Sequence, residues 1–138
     1  MDVKRVIIAS SWLEYGTAAS SQIESTLTGF KAAGVDVTLI GQSPSFYIPP
    51  YLILARSVPP GARDADLPLS AQARAMNRRL AAIAVRAGVQ FIDPTEALCP
   101  DGPCRVRVAG EDLYLDYGHF TPAGSVRAVE AYFPYPGQ

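Results

Sequence analysis

Short apolar runs alternate along the chain with longer stretches whose apolar residues recur at helical spacing, a pattern that predicts strands alternating with helices. Lys4 to Ala9 centres on Val6-Ile7-Ile8, the composition of a strand buried on both faces. Ser21 and Glu24 then fit a capping box, Ile23, Leu27 and Phe30 follow at helical spacing, and Gly34 stands where a helix usually ends. Val35 to Ile40 reads as a second buried strand, running into Gly41-Gln-Ser-Pro-Ser-Phe46. A strand–helix–strand unit of this length accommodates a right-handed parallel crossover.

From Ser43 to about Asp66 the chain is rich in Pro, Ser and Gly and is broken only by Tyr51-Leu-Ile-Leu-Ala55. This predicts a long irregular excursion with one short helix. Ser70 is placed to cap the next helix, Met76, Leu80, Ile83 and Ala87 form its apolar stripe, and Gly88 closes it. Val89 to Asp93 is the third strand, Pro94 to Leu98 a single helical turn, and Val106–Val108 with Leu113–Leu115 a small hairpin through Gly110. The last helix spans Pro122 to Phe133, with Val126, Val129 and Phe133 expected to face inward. The order predicts an α/β fold with a three-stranded parallel sheet and helices on both faces. Nothing earlier in the chain can cover the outer edge of the first strand, and an open apolar edge is a liability. A partner supplying strands, a second copy in a homodimer, or a larger parent domain would each satisfy it.

At 138 residues the chain has the size of a single domain, 1–138. Its net charge of −1 offers no basic surplus for nucleic acid. Arg74, Arg78, Arg79 and Arg86 fall on one helix and read as its solvated face. No apolar run approaches the ~20 residues that span a bilayer, and Met-Asp-Val-Lys-Arg followed by Val6 to Ala9 is too short for a signal h-region and reads as a strand. Cys99 and Cys104 bracket the turn sequence Pro-Asp-Gly-Pro. Thiols so placed can close a small loop as a disulfide, contributing about 2 kcal/mol in the chain-entropy model. With two cysteines and one histidine in the chain, a zinc site is disfavoured. No Gly-rich phosphate loop follows Val6 to Ala9, which argues against a nucleotide-binding flavodoxin-like protein. No cofactor or metal is predicted.

The chemistry concentrates in Leu113-Tyr-Leu-Asp-Tyr-Gly-His-Phe-Thr-Pro-Ala-Gly124, which holds the only histidine. Asp116 and His119 precede Thr121-Pro122, a helix start with Thr as N-cap and Pro at the first helical position. Both should therefore share one short turn at the rim of the fold. A carboxylate beside an imidazole fixes its tautomer and stabilises the imidazolium, as a general base for acyl transfer requires. A capping Asp and a structural His on an ordinary turn is the plainer alternative. Ser10 and Ser11 lie at a strand's carboxyl end, the edge where open α/β sheets bind ligands.

These stretches, taken together with Val6-Ile-Ile-Ala-Ser-Ser-Trp12, Val37-Thr-Leu-Ile-Gly-Gln-Ser-Pro44 and Phe91-Ile-Asp-Pro-Thr-Glu-Ala-Leu-Cys99, resemble the SGNH (GDSL-type) hydrolase superfamily. Within it they are most similar to the SGNH domains fused to acyltransferase-3 membrane proteins, which modify bacterial surface polysaccharides. The resemblance implies a flavodoxin-like three-layer α/β/α fold whose third, fourth and fifth strands are the three here. It implies Asp116 and His119 as acid and base of a Ser-His-Asp triad, a Cys99–Cys104 disulfide and a periplasmic location. O-acylated carbohydrate or an acyl donor would be the substrate, and an acyltransferase-3 membrane domain a partner. The family's Gly-Asp-Ser nucleophile block and its Gly-x-Asn-Asp block do not occur in this sequence. The expectation is therefore a partial domain lacking the first two strands, with Ser10 as the one internal candidate for the nucleophile. The competing expectation is a non-catalytic SGNH-like module that binds carbohydrate or a partner chain.

Overall fold

A computed structural model describes residues 3–134, apart from the side chains of residues 17–21. The elements in chain order are β1 (Arg5–Ile8), α1 (Trp12–Ala32), β2 (Asp36–Ile40), α2 (Pro50–Ser57), β3 (Ala65–Pro68), α3 (Ala71–Ala87) and β4 (Gln90–Ile92). They continue with α4 (Pro94–Leu98), β5 (Pro103–Val108), β6 (Glu111–Asp112) and α5 (Pro122–Tyr132). Contacts group the chain into two units, Met1–Ser43 with Ala71–Asp93, and Pro44–Ser70 with Pro94–Gln138.

The first unit carries the parallel sheet of three strands in the order β1-β2-β4. Val37 and Leu39, on one face of β2, pack with Ile23 and Leu27 of α1 and Met76, Leu80, Ile83 and Ala84 of α3. The helices end where glycine allows it. Gly34 and Gly88 take positive φ, and paired backbone bonds close both ends, from Gly34 to Lys31 and Val35 to Phe30, and from Gly88 to Val85 and Val89 to Ala84. β1 is not buried on both faces as its composition suggested: Val6 and Ile8 are half-buried, while Arg5 and Ile7 are exposed. It is an edge strand with a neighbour on one side only among the described residues, so alternation replaces continuous burial.

Helix α1 begins at Trp12, nine positions ahead of the expected start at Ser21, whose side chain lies outside the described residues. Gly16, at φ 62° and ψ −156°, joins the extra segment through a kink. Tertiary contacts make this early start possible. Ser11 gives no side-chain cap; instead Gln42 Oε1 accepts from the Leu13 N–H at 3.0 Å, and the Trp12 indole donates to the Ile40 carbonyl at 2.9 Å.

Asn77 sits fully buried on the apolar side of α3. Its Oδ1 accepts from the Gln42 N–H at 2.6 Å, and its Nδ2 donates to the Gln42 carbonyl at 3.0 Å and to Asp93 Oδ1 at 2.7 Å. One amide thus ties α3 to the carboxyl ends of β2 and β4. The backbone of Gly41 passes so close that a Cβ there would run into Asn77 Oδ1.

The second unit builds an antiparallel sheet in the order β3-β5-β6. Strand β3 falls in the tail of the stretch expected to be irregular: four residues with a single buried apolar side chain, Leu67, carry too little periodicity to be read. Cys99 and Cys104 are joined by a disulfide and fully buried, packed with Phe46, Leu54, Leu67, Val106, Leu113 and Tyr114. Ser70 precedes α3 as expected, yet its hydroxyl is buried without a hydrogen-bond partner, so it does not cap that helix. Helix α5 also corrects the sequence reading. Val126, Val129 and Phe133 are exposed, and the buried face is Gly124 and Ala128. A Cβ at Gly124 would collide with the Leu113 carbonyl oxygen, so the helix lies where only small residues fit.

Replacing Asn77 by Ala leaves the Gln42 backbone groups and Asp93 without these bonds in a buried site. The expected loss is about 2–4 kcal/mol in chemical denaturation, with the m-value unchanged. A cost below 1 kcal/mol would mean the network does not hold the strand ends.

Candidate functional site

Residues 113–121 form a loop closed twice at its base. The Leu113 N–H donates to Val106, and the Thr121 N–H returns to the Leu113 carbonyl at 3.0 Å. Tyr114 pairs with Phe120 as an antiparallel bridge, and Leu115 N–H donates to the His119 carbonyl at 2.8 Å. Thr121 is the N-cap expected of it: Oγ1 accepts from the Gly124 N–H at 3.1 Å and donates to the Asp112 carbonyl at 2.7 Å. Beneath the loop, Tyr114 is buried between Phe46, edge-on at 4.8 Å, and Phe120 at 5.0 Å. Burial, with the nearby Tyr132 phenol second, pushes the Tyr114 phenol well above its usual range, so the ring stays neutral.

On this base the tip of the loop has little freedom. Asp116 Oδ1 accepts two backbone N–H groups, from Gly118 at 2.9 Å and His119 at 2.8 Å, the closure of an Asx turn. The other oxygen, Oδ2, lies 2.8 Å from His119 Nδ1. One carboxylate therefore shapes the turn and holds the ring. An acceptor at Nδ1 selects the tautomer with the proton there, leaving the Nε2 lone pair outward. The His119 side chain is 74% exposed, open to a hydroxyl from solvent or ligand. Asp116 is held below the usual carboxylate range, first by the backbone N–H of His119, then against partial desolvation by the Gly118 N–H and the His119 ring.

The structure thus brings Asp116 to His119 and Cys99 to Cys104. Ser10 belongs to the first unit, exposed in the connection between β1 and α1. Sequence reasoning passed over Asn77 and Gln42, although a polar residue at 77, in step with Leu80 and Ala84 on the apolar side of a helix, was the available signal. A separate open cavity of about 500 Å³ is lined by Leu98, Asp101, Arg105, Phe120, Arg127 and Glu130 among others, and by neither member of the Asp116–His119 pair. Among the described residues no cluster of His, Cys, Asp and Glu could hold a metal ion, and no helix is long and apolar enough to cross a membrane.

Because the backbone N–H of residue 119 is the first cause of the Asp116 shift, His119→Ala should leave most of it in place. Carboxyl-carbon NMR titration should find Asp116 below the ordinary value of about 3.9 in both proteins, slightly higher in the variant. The sign follows from a lowered folded value: Asp116 contributes stability above the unfolded value, and that contribution is lost as pH falls through the folded one. An ordinary midpoint in His119→Ala would show that the ring, not the turn, sets the charge.

Comparison with known proteins agrees with this architecture. A search of curated proteins finds no match. The periplasmic domain of the lipopolysaccharide acetyltransferase of Salmonella ser. Paratyphi A superposes with a TM-score of 0.72 at 17% sequence identity, over 93% of this chain and 54% of that one. The chain thus spans about half the length of that domain, and the likeness is one of fold. The family model described as "SGNH domain (fused to AT3 domains)" matches residues 1–134. With nearly every residue inside that match, the chain belongs to the SGNH domain family of the kind fused to AT3 domains.

Proposed function

We propose that this chain is part of an SGNH domain that transfers or hydrolyses O-acyl groups on cell-surface glycans, working with an acyltransferase-3 membrane domain outside the cytoplasm. The observation that carries the reading is the Asp116–His119 pair, with Nδ1 held at 2.8 Å and Nε2 outward on an exposed loop. In this reading Nε2 takes the proton from a serine hydroxyl as its oxygen attacks an acyl carbonyl, and Asp116 stabilises the imidazolium that forms. The imidazolium then returns the proton to the departing alcohol. In the second half, Nε2 deprotonates the acceptor, a sugar hydroxyl for transfer or water for hydrolysis, as the acceptor oxygen attacks the acyl carbonyl. The serine–acyl bond breaks and the imidazolium returns the proton to the serine oxygen. Ser10, at the carboxyl end of β1, is the candidate nucleophile within residues 1–138. The disulfide and the periplasmic origin of the similar structure support an oxidising compartment.

In cells expressing the protein, the O-acetyl content of the surface polysaccharide should fall to the level of a gene deletion in His119→Ala. Asp116→Asn should lower turnover by up to about 10⁴-fold, the scale for an orienting carboxylate. Unchanged acetylation in His119→Ala would sink the reading. Hydrolysis of p-nitrophenyl acetate by the purified chain then tests the nucleophile: turnover lost in Ser10→Ala assigns it to Ser10, and turnover at background in the wild-type chain excludes Ser10.

The compartment has its own check. Protein recovered from the native cell envelope should be lighter by two hydrogens than the same protein after reduction. Free thiols at Cys99 and Cys104 in that material would count against an oxidising location.

A further inference from the structure

The loop that carries His119 also presents tyrosine to solvent, and burial does not account for it. Of the two tyrosines in that loop, Tyr114 is buried under it, whereas Tyr117, between Asp116 and His119, is 58% exposed. The Tyr117 carbonyl accepts the Phe46 N–H at 2.8 Å, which brings the segment holding Tyr47 alongside. Phe46 turns inward against Tyr114, and Tyr47, the next residue, is 72% exposed. Leu115, two residues before Tyr117, is exposed as well. Tyr117 and Leu115 thus share a short exposed turn with the His119 imidazole, and Tyr47 stands on the segment hydrogen-bonded to that turn.

Leaving such rings in water forgoes the stabilisation that covering their apolar faces would bring. A ligand that suits them has an apolar face and a polar rim. A pyranose ring does: its axial C–H bonds form a flat apolar face that stacks on an aromatic ring, and its hydroxyls radiate at the edge. Stacked on Tyr117, it would direct one hydroxyl towards His119 Nε2, the neighbouring side chain on the same turn. A fatty acyl chain would instead need an enclosed groove, and neither tyrosine lines the cavity described above. Resting on the acyl-transfer reading above, we infer that Tyr117 and Tyr47 form a stacking platform for the sugar ring whose hydroxyl is acylated or de-acylated.

Affinity electrophoresis of the purified chain tests this without turnover. The probes are bacterial O-polysaccharides built on rhamnose, mannose, galactose and N-acetylglucosamine, stripped of O-acetyl groups by mild alkali and cast into the gel. At least one should retard the wild type. Tyr117→Ala should weaken that retardation by about three- to tenfold, the scale of one lost stacking contact. Tyr47→Ala should weaken it in the same direction, and Tyr117→Trp should preserve it. Circular dichroism of each variant confirms that the fold is intact, as expected for exposed positions.

No retardation by any probe overturns the inference, as does equal binding by Tyr117→Ala. Binding to vesicles of phosphatidylethanolamine and phosphatidylglycerol that depends on Tyr117, without glycan binding, would assign the patch to a membrane surface and overturn it too. The two readings fail separately. A protein that binds glycan through Tyr117, yet keeps full acetylation without His119, loses the catalytic reading and keeps the platform.

Discussion

A helix can approach a strand only as closely as the side chains of its first turn allow, and at Gly124 there is no side chain. The backbone of α5 settles against the Leu113 carbonyl, where a Cβ would collide. That approach lets Thr121 reach both Leu113 and Asp112 while it caps the helix. The segment between them must then turn within a few residues. Asp116 makes this possible by accepting the two N–H groups the turn would otherwise leave unpaired. The exposed imidazole is therefore held by backbone closure, buried aromatic packing beneath and one carboxylate.

The charge of Asp116 follows from the same geometry. Two backbone N–H groups and a ring nitrogen converge on one carboxylate, so its ionised form is favoured by the turn itself. The charge is in place whether or not the imidazole is protonated. A carboxylate that stays ionised holds the ring's tautomer and compensates a positive charge as it forms, the duty of the acid in a catalytic triad. The disulfide serves at a different level. It is fully buried in the core that supports β5 and the loop's base, in a unit whose antiparallel sheet is small.

In the first unit the corresponding device is a buried amide. Asn77 matches both backbone groups of Gln42, and the Gln42 side chain caps the start of α1. Strand ends, where loops diverge, are thus tied by hydrogen bonds as well as by apolar packing. Satisfied buried polar groups are specific because each alternative arrangement leaves one of them unpaired.

The sequence alone determined the elements whose signal is local: the parallel strands from their apolar runs, α3 from its stripe, the helix ends from Gly34 and Gly88, and the α5 start from Thr121-Pro122. Asp116 and His119 were legible as a pair, because a separation of three residues just ahead of a capped helix is turn spacing. The catalytic role proposed for them rests on resemblance to a known family, which spacing could not supply. Tertiary structure decided the rest. It started α1 at Trp12 through a glutamine from another loop, made an edge strand of β1, and paired β3 with β5 although four residues carry no period. It turned α5 so that Gly124 and Ala128, not Val126 and Val129, face inward. It also buried Tyr114 while leaving Tyr117 and Tyr47 in solvent. A residue's type sets how much free energy burial can contribute, but which residues are buried depends on how closely backbones approach, and that is fixed only when distant segments meet.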